Sequence, residues 1–441
     1  RGVVESGGAA GASPLDATAP GRRSDDDASR SGRRTLQATN VFEGDGGDYL
    51  FPDGKVKADG ACPALLLLPF TRGEEAYPHY GPGPENSWAF SHLSAAVLAM
   101  EHFNARDPTV VSELASDPAM QNCSVYFPLD DVDAADTGSL PKRVSAVLMN
   151  YPEAQSRCAI LGPFFDEPAL EAAVMSYGLR IPVICHGCED NKFSIEKEYP
   201  NVMRTSVNFH AMGDLAISAL KSKGRTDFLN VLHVSHTHGL QFAETLNNAA
   251  KEQGFSKIFF HKYAPPYIKE SSPGKSVWYA MNAIKESTYR TIFVALYDTW
   301  EELPYVADAA EEYGLISPEY VWMFSGNIDI EWALYANDHP WWNANVTKLL
   351  MGAAFMRQMD GFDVDPDGDR FLQSWKSQGA ETVNKVKALN PIPEGEPGHY
   401  DPSSDYFQSV MPMRGSGYMY DAVIAQGMGA CWAEADHKAS G

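Results

Sequence analysis

The sequence predicts an α/β protein with two doubly wound lobes, in which helices cover both faces of parallel sheets. The first observation is the stretch from Cys158 to Thr205, where short apolar runs bounded by Gly and Pro flank a helix. The second is a renewed alternation of helices and strands from residue 209 to residue 325. The third is the length of 441 residues, which suffices for two or three domains.

The composition and charge of the chain argue against some classes of binding partner. Hydrophobic residues make up 44% and charged residues 21%, as in ordinary globular proteins. The net charge of -23 argues against binding to nucleic acid or to an anionic membrane surface. The longest apolar run, 64–70, has the length of a strand and not of a membrane helix. We therefore expect neutral or cationic partners, and membrane attachment only through segments outside this sequence.

The first part of the chain contains a tail and most of one lobe. Residues 1–48 are rich in Gly, Ala, Ser, Arg and Asp, which predicts a disordered tail or linker. Residues 49–205 form the first part of lobe 1. Its early elements are predicted as strand 64–70, an amphipathic helix over 87–106, strand 124–129 and helix 140–151.

The stretch 158–205 organises this lobe. A buried strand ends at Gly162-Pro163, a helix begins near Glu167, and a second strand covers 181–185. Leu170, Val174 and Tyr177 lie at helical spacing between the strands. Ligands bind beyond the carboxyl ends of the strands in such sheets, so segments 164–167 and 186–190 are expected side by side on one rim.

The second lobe is predicted over residues 206–325, and residues 326–441 return mostly to lobe 1. The return segment has an irregular, Pro- and Gly-rich part and a final helix over 420–434. The predicted elements of the second lobe are helices 209–223, 240–253, 276–287 and 301–313 and strands 228–235, 257–263, 291–297 and 320–325. Two further helices, 369–377 and 382–388, are predicted in the return segment.

The order of several short motifs resembles the receptor family ligand-binding region, which is similar to type I periplasmic binding proteins. Its relatives include the ectodomains of natriuretic-peptide receptors and class C G-protein-coupled receptors. The motifs are residues 95–104, Gly162-Pro163, Ile181-Pro182, Tyr199-Pro200, Arg204-Thr205, 228–254, Val321-Trp322 and 420–423. The resemblance implies two Rossmann-like lobes joined by hinge strands, which close on a ligand in the cleft. It also implies a truncated ectodomain whose first lobes form a homodimer or heterodimer.

The resemblance directs attention to acidic residues on the rim. Amino-acid receptors of the family have a hydroxyl residue four positions after the Gly of Gly-Pro and another eight positions after the Ile of Ile-Pro. Here these positions hold Asp166 and Glu189, which disfavour a ligand carboxylate and leave an amine, a polyol or a peptide open. The predicted ligand-binding residues are Phe165, Asp166, Glu167, Gly187, Glu189, His238 and Asp298.

Each of these residues also has a simpler interpretation. Asp166, with Pro168 in the first turn, fits the pattern of a helix N-cap. Glu189 fits a solvated loop acid, and His238 fits an ordinary loop histidine. Asp298 fits a cap for the helix that follows it.

The six cysteines predict structural disulfides. Cys185 and Cys188 flank His186 in a Cys-x-x-Cys motif, but the neighbouring acids oppose a redox role, and a zinc site lacks two further ligands nearby. Cys62, Cys123 and Cys158 each precede a strand, so two of them are expected to pair. Glycosylation acceptors at Asn122 and Asn345 are compatible with a glycoprotein that is secreted or at the cell surface.

One acidic segment has the spacing of a calcium loop. Asp363, Asp365 and Asp367 alternate before Gly368, but Ser374 occupies the position of the bidentate acid. Calcium binding and a solvated acidic turn both remain open, and no cofactor is expected. The sequence also lacks a nucleophile elbow, a His-Glu-x-x-His helix and a Gly-x-Gly-x-x-Gly motif after a strand.

These patterns predict a non-catalytic extracellular receptor domain that binds a small-molecule or peptide ligand between its lobes. One alternative is a soluble solute-binding protein that serves uptake. Another is an enzyme that uses Asp166, Glu189 and Asp298 as acid and base. A degenerate ectodomain that only dimerises is the third.

Overall fold

The fold is known from a computed structural model. It describes residues 61–72, 75–76, 88–121, 123–127, 144, 148–149, 158–225, 228–235, 237–255, 257–296, 299–325, 343–356, 358–364, 368–390, 394 and 399–440. The predicted tail 1–48, Asn122, Asp298, Asp365 and Asp367 lie outside these residues, as does most of the predicted helix 140–151.

The first sheet has five parallel strands in the order β4-β1-β5-β6-β7. Strand β1 begins and ends earlier than predicted. It ends earlier because Leu68 and Pro69 leave the ladder, and the amide of Phe70 bonds to the carbonyl of Leu68. The strands are β1 (Ala61–Leu66), β4 (Ser124–Tyr126), β5 (Ala159–Leu161), β6 (Val183–Cys185) and β7 (Val202–Arg204). A short antiparallel pair, β2 (Thr71–Arg72) and β3 (Glu75–Ala76), follows β1.

The second sheet also has five parallel strands, in the order β12-β11-β10-β8-β9. Its first four strands along the chain agree with the predictions to within two residues. They are β8 (Phe228–Val234), β9 (Lys257–Tyr263), β10 (Thr291–Ala295) and β11 (Val321–Ser325), and β12 (Ala354–Met356) joins them from the return segment. The predicted class of two doubly wound α/β lobes is therefore confirmed.

Helices alternate with these strands along the chain. Four come before the second sheet along the chain: α1 (Trp88–Ala105), α2 (Glu113–Ser116), α3 (Asp166–Leu179) and α4 (Phe209–Ser222). Four more pack with the second sheet: α5 (Thr237–Glu252), α6 (Val277–Ser287), α7 (Thr299–Glu312) and α8 (Ala344–Leu350). The return segment adds α9 (Gly361–Val364), α10 (Arg370–Ser377), α11 (Ala380–Ala388), α12 (Tyr406–Ser409) and α13 (Ser416–Ser440). Two 3-10 turns cover Pro118–Met120 and Asn191–Ser194.

Apolar clusters cover both faces of each sheet. On the first sheet, one apolar cluster joins β1 and β4 to α1, α10 and α13, and a second lies under α3. On the second sheet, one cluster contains residues of α6, α7 and α8, and the opposite one contains residues of α4 and α5. Burial on two faces explains why the strands contain continuous apolar runs.

Helix α3 turns a different face to the sheet from the one its large apolar residues suggest. The side chains of Val174 and Tyr177 are 59% and 62% exposed, whereas Ala169, Ala172 and Ala173 are buried. Small residues let a helix approach a sheet closely, so the alanine face is the one that packs. The spacing of Leu170, Val174 and Tyr177 predicted the helix correctly but not its buried face.

Three disulfides use all six cysteines. Cys62 pairs with Cys158 at the starts of the adjacent strands β1 and β5, which confirms that two of the three strand-preceding cysteines pair. Cys123 pairs instead with Cys431 of α13, and Cys185 pairs with Cys188. The described part of the chain contains no helix that is long and apolar enough to span a bilayer.

Candidate ligand pocket at the rim of the first sheet

The two rim segments lie side by side beyond the carboxyl ends of β5 and β6. The Oδ1 atom of Asp166 accepts hydrogen bonds from the backbone amides of Glu189, at 2.8 Å, and Asp190, at 3.0 Å. This adjacency follows from the parallel pairing of β5 with β6, since both strands deliver their next residues to the same edge.

Asp166 does not cap its own helix, so the N-cap interpretation is wrong. The residue before the helix is Phe165, which has an extended backbone and makes no side-chain capping bond. Asp166 is the first helical residue, and its carboxyl group faces the neighbouring loop instead. Its carboxylate therefore holds the 186–190 segment in place.

Two carboxyl groups in this region have raised pKa values. Burial raises the pKa of Asp166 to about 7, against the lowering effect of its two backbone hydrogen bonds. Burial and the charge of Asp166 raise the pKa of Glu189 to about 8. The two groups oppose each other's ionisation, so protons are held here near neutral pH.

Glu189 is half-buried and hydrogen-bonded, which contradicts its interpretation as a solvated loop acid. Its Oε1 atom accepts a hydrogen bond of 2.5 Å from Nε2 of Gln358. Gln358 also bonds to the backbone amide and carbonyl of Val207, at 3.1 and 3.2 Å. Gln358 follows β12 of the second sheet, and Val207 lies between β7 and α4. The side chain of Gln358 thus links the rim of the first sheet to the chain segments after β7 and after β12, which run between the two sheets.

A pair of buried histidines lies behind the rim. Nε2 of His92 is 2.9 Å from the carbonyl oxygen of Arg414, and Nδ1 of His92 is 3.2 Å from Nε2 of His186. Burial lowers the pKa of His92 to about 3. Burial and the neighbouring His92 lower the pKa of His186 well below its usual value. Both imidazoles are therefore neutral at physiological pH.

A small open pocket is lined in part by His186. Two glycines allow its walls to approach closely. A Cβ atom on Gly187 would lie 2.4 Å from the ring of Phe164, and one on Gly415 would lie 2.9 Å from Nε2 of His92. The lining residues are Phe164, His186, Gly187, Glu189, Gln358, Arg414, Gly415 and Tyr418.

Further contacts join the rim to α5 of the second lobe. Nε2 of Gln241 donates to Oδ2 of the buried Asp190 at 2.7 Å. Nδ2 of Asn191 donates to Oγ1 of Thr245 at 3.0 Å. These bonds fix the relation between the 186–191 segment and the first three turns of α5.

The pocket includes only part of the predicted set. Gly187 and Glu189 line it, whereas Phe165, Asp166 and Glu167 lie at the adjacent helix start and are not among the lining residues. His238 lies in the first turn of α5, with its side chain outside the described residues, and Asp298 lies outside them altogether. The assignment of these seven residues to ligand binding stays a prediction.

The predicted ligand-binding set lacks six of the lining residues and the supporting His92. Phe164 and His186 lie in the two predicted rim segments but were not among the predicted ligand-binding residues, and nothing near Gln358 in the sequence links it to Glu189. The missed lining residues are Phe164, His186, Gln358, Arg414, Gly415 and Tyr418.

The calcium prediction is not tested by the described part of the chain. Asp365 and Asp367 are outside it, and Asp363 lies in α9 with its side chain undescribed. Ser374 bonds to the ring of His102, and Asp369 caps α10 by accepting from the amide of Leu372. Among the described residues, no group of three or more His, Cys, Asp or Glu side chains is arranged to hold a metal ion.

The model of the receptor family ligand binding region matches residues 94–437. The chain belongs to this receptor family. A search of curated proteins returned no match. The match begins within α1 and ends within α13, so it contains the rim, His186 and every strand of the two five-stranded sheets except β1. The resemblance predicted from the sequence motifs is confirmed.

Proposed function

We propose that this chain is the extracellular ligand-binding domain of a cell-surface receptor, which closes its two lobes on a small ligand. The observation that carries the proposal is the origin of the pocket wall. His186, Gly187 and Glu189 follow β6 of the first sheet, whereas Gln358 follows β12 of the second. A ligand here contacts both halves of the molecule and so favours one relative position of the lobes over another.

The family supports a receptor role, and the pocket supports binding without catalysis. Raised carboxyl pKa values also suit acid–base chemistry. However, Oδ1 of Asp166 already accepts two backbone amides, and Asp166 does not line the pocket. The carboxyl pair is therefore placed to shape a binding site and to hold protons beside it, with Glu189 alone at its surface.

Lobe closure is tested with one spin label in each lobe. All six native cysteines form disulfides, so Lys197→Cys and Glu286→Cys introduce unique labelling sites on exposed positions of the first and second lobes. A ligand is first found as a small molecule that raises the thermal unfolding temperature, because binding to the folded state alone stabilises it. The expected result is a shift of the distance distribution between the two labels to a new maximum.

Glu189→Gln and Glu196→Gln form a matched pair for this test, because Glu196 is an exposed acid seven residues away. The Glu189 variant is expected to weaken both stabilisation and closure, and the Glu196 variant to leave them intact. A ligand that binds at the pocket without changing the label distances would contradict closure. The homodimer or heterodimer stays a prediction, which sedimentation equilibrium measures directly.

A further inference from the structure

The histidine pair forms a hydrogen-bond chain with a fixed direction. A carbonyl oxygen only accepts, so Nε2 of His92 carries the proton that is donated to Arg414. Since His92 is neutral, its Nδ1 atom has a lone pair and accepts from Nε2 of His186. His186 is neutral as well, so its own Nδ1 atom is left as an acceptor.

The environment of the Nδ1 atom of His186 is unusual for an acceptor. His186 is fully buried, and within the described part of the chain its Nδ1 atom has no hydrogen-bond partner. Buried polar atoms are nearly always paired in native proteins, so an unpaired one needs an explanation. His186 lines the pocket, and a donor group on a bound ligand would complete the chain that starts at Arg414.

We propose that the pocket binds the ammonium group of an amine, with one N–H donated to Nδ1 of His186 and the charge placed beside the carboxyl group of Glu189. This inference rests on the ligand-binding function proposed above and names its ligand class. An ammonium group has only donors, and the proposed wall offers it an imidazole lone pair and a carboxyl oxygen.

The remaining wall suits such a ligand. Phe164 and Tyr418 present aromatic rings, which attract cations and pack against an alkyl body. The hydroxyl of Tyr418 donates to the carbonyl of Met359 at 3.1 Å, so it does not compete for the acceptors. Arg414 is the one cationic side chain of the wall, and it already has an interaction partner of its own. A carboxylate ligand would face the lone pair of His186, which repels it.

The test uses wild-type protein labelled with 15N in its histidines and three probes of equal length. The probes are n-butylammonium, butanamide and n-butyrate at millimolar concentrations. The ring nitrogens of His186 should first show the tautomer protonated at Nε2. n-Butylammonium should then move the Nδ1 resonance in a saturable manner, butanamide should do so more weakly, and n-butyrate should leave it unchanged. A proton on Nδ1 of His186, a larger shift with n-butyrate or no shift with n-butylammonium would each overturn the inference.

Two histidine variants give a matched comparison. His186→Phe removes the acceptor, whereas His102→Phe removes a similarly buried ring that bonds Tyr420 and Ser374 away from the pocket. n-Butylammonium should bind at least about tenfold more weakly to the first variant, as expected for loss of a charge-assisted bond. It should bind to the second within about twofold of wild type. Equal weakening in both variants would contradict the proposal, and the wild-type spectra decide the question if either variant fails to fold.

The outcome separates this inference from the proposed function. A ligand that closes the lobes without moving the His186 resonances contradicts amine recognition and leaves the receptor function standing. An amine that moves those resonances without changing the distance between the spin labels contradicts closure alone.

Discussion

The Oδ1 atom of Asp166 lies 2.8 Å from the backbone nitrogen of Glu189, so the first residue of one rim helix holds the neighbouring rim loop. The same contact brings two carboxyl groups together, and Asp166 contributes to the raised pKa of Glu189. One interaction thus fixes the shape of the rim and its charge. Substitutions at Asp166 that keep an acceptor oxygen but remove the charge separate these two effects.

Replacing Asp166 by alanine is expected to lower the free energy of unfolding by about 2–4 kcal/mol, because two backbone amides lose their acceptor. Asp166→Asn keeps an acceptor oxygen and should cost clearly less. Chemical denaturation measures both, with the exposed Glu196→Ala as the control. Equal losses for the alanine and asparagine variants would show that the amide contacts are not what Asp166 contributes.

Stability is expected to fall as pH rises from about 6.5 to about 8.5. The folded-state pKa values of Asp166 and Glu189, about 7 and about 8, exceed their unfolded values, so the folded state binds more protons in this range. Each group contributes a slope of at most about 1.4 kcal/mol per pH unit. His92 and His186 have lowered pKa values and act in the opposite sense, but only below their unfolded pKa of about 6.5.

Denaturation at several pH values tests this dependence. Glu189→Gln should flatten the fall above about pH 6.5, and Glu196→Gln should leave it as in wild type. A stability that rises with pH over this range would refute the raised pKa values.

Gly187→Ala should destabilise the protein by about 1–3 kcal/mol and weaken binding at the pocket. The added methyl would lie 2.4 Å from the ring and 2.8 Å from the carbonyl oxygen of Phe164, so the pocket wall must move. Gly178→Ala is the control, since nothing lies within 4 Å of its added Cβ on helix α3. It should be neutral or stabilising by up to about 1 kcal/mol. Thermal and chemical unfolding of the two variants should therefore change in opposite directions or by clearly different amounts.

The disulfide between Cys123 and Cys431 is expected to stabilise more than the one between Cys185 and Cys188. The first spans a sequence separation of 308 and the second one of 3. A longer closed loop restricts the unfolded chain more, so removing the first pair with alanines should cost about 2–4 kcal/mol beyond removing the second. Denaturation midpoints of the two double variants measure the difference. A smaller loss for the Cys123 and Cys431 pair would rule out this ranking.

Much of the fold could be predicted because its patterns are local. Strand β9 has the predicted bounds, and the alternation that begins at α4 gave the second sheet. The adjacency of the two rim segments also followed, because parallel strands connected by one helix end at the same edge. The directions of the side chains could not be predicted from these local patterns. Helix α3 starts one residue before the predicted position, and this shift makes Asp166 a helical residue that faces the next loop and not a cap.

The sequence by itself determined the α/β class, the two lobes, the family and the edge of the first sheet where a ligand is expected. Only the tertiary structure decided the pocket, because its partners are far apart along the chain. His92 and His186 are separated by 94 residues, and Glu189 and Gln358 by 169. Hydrophobic spacing fixes the secondary structure over a few turns, whereas the partner of a buried polar group depends on how the whole chain packs.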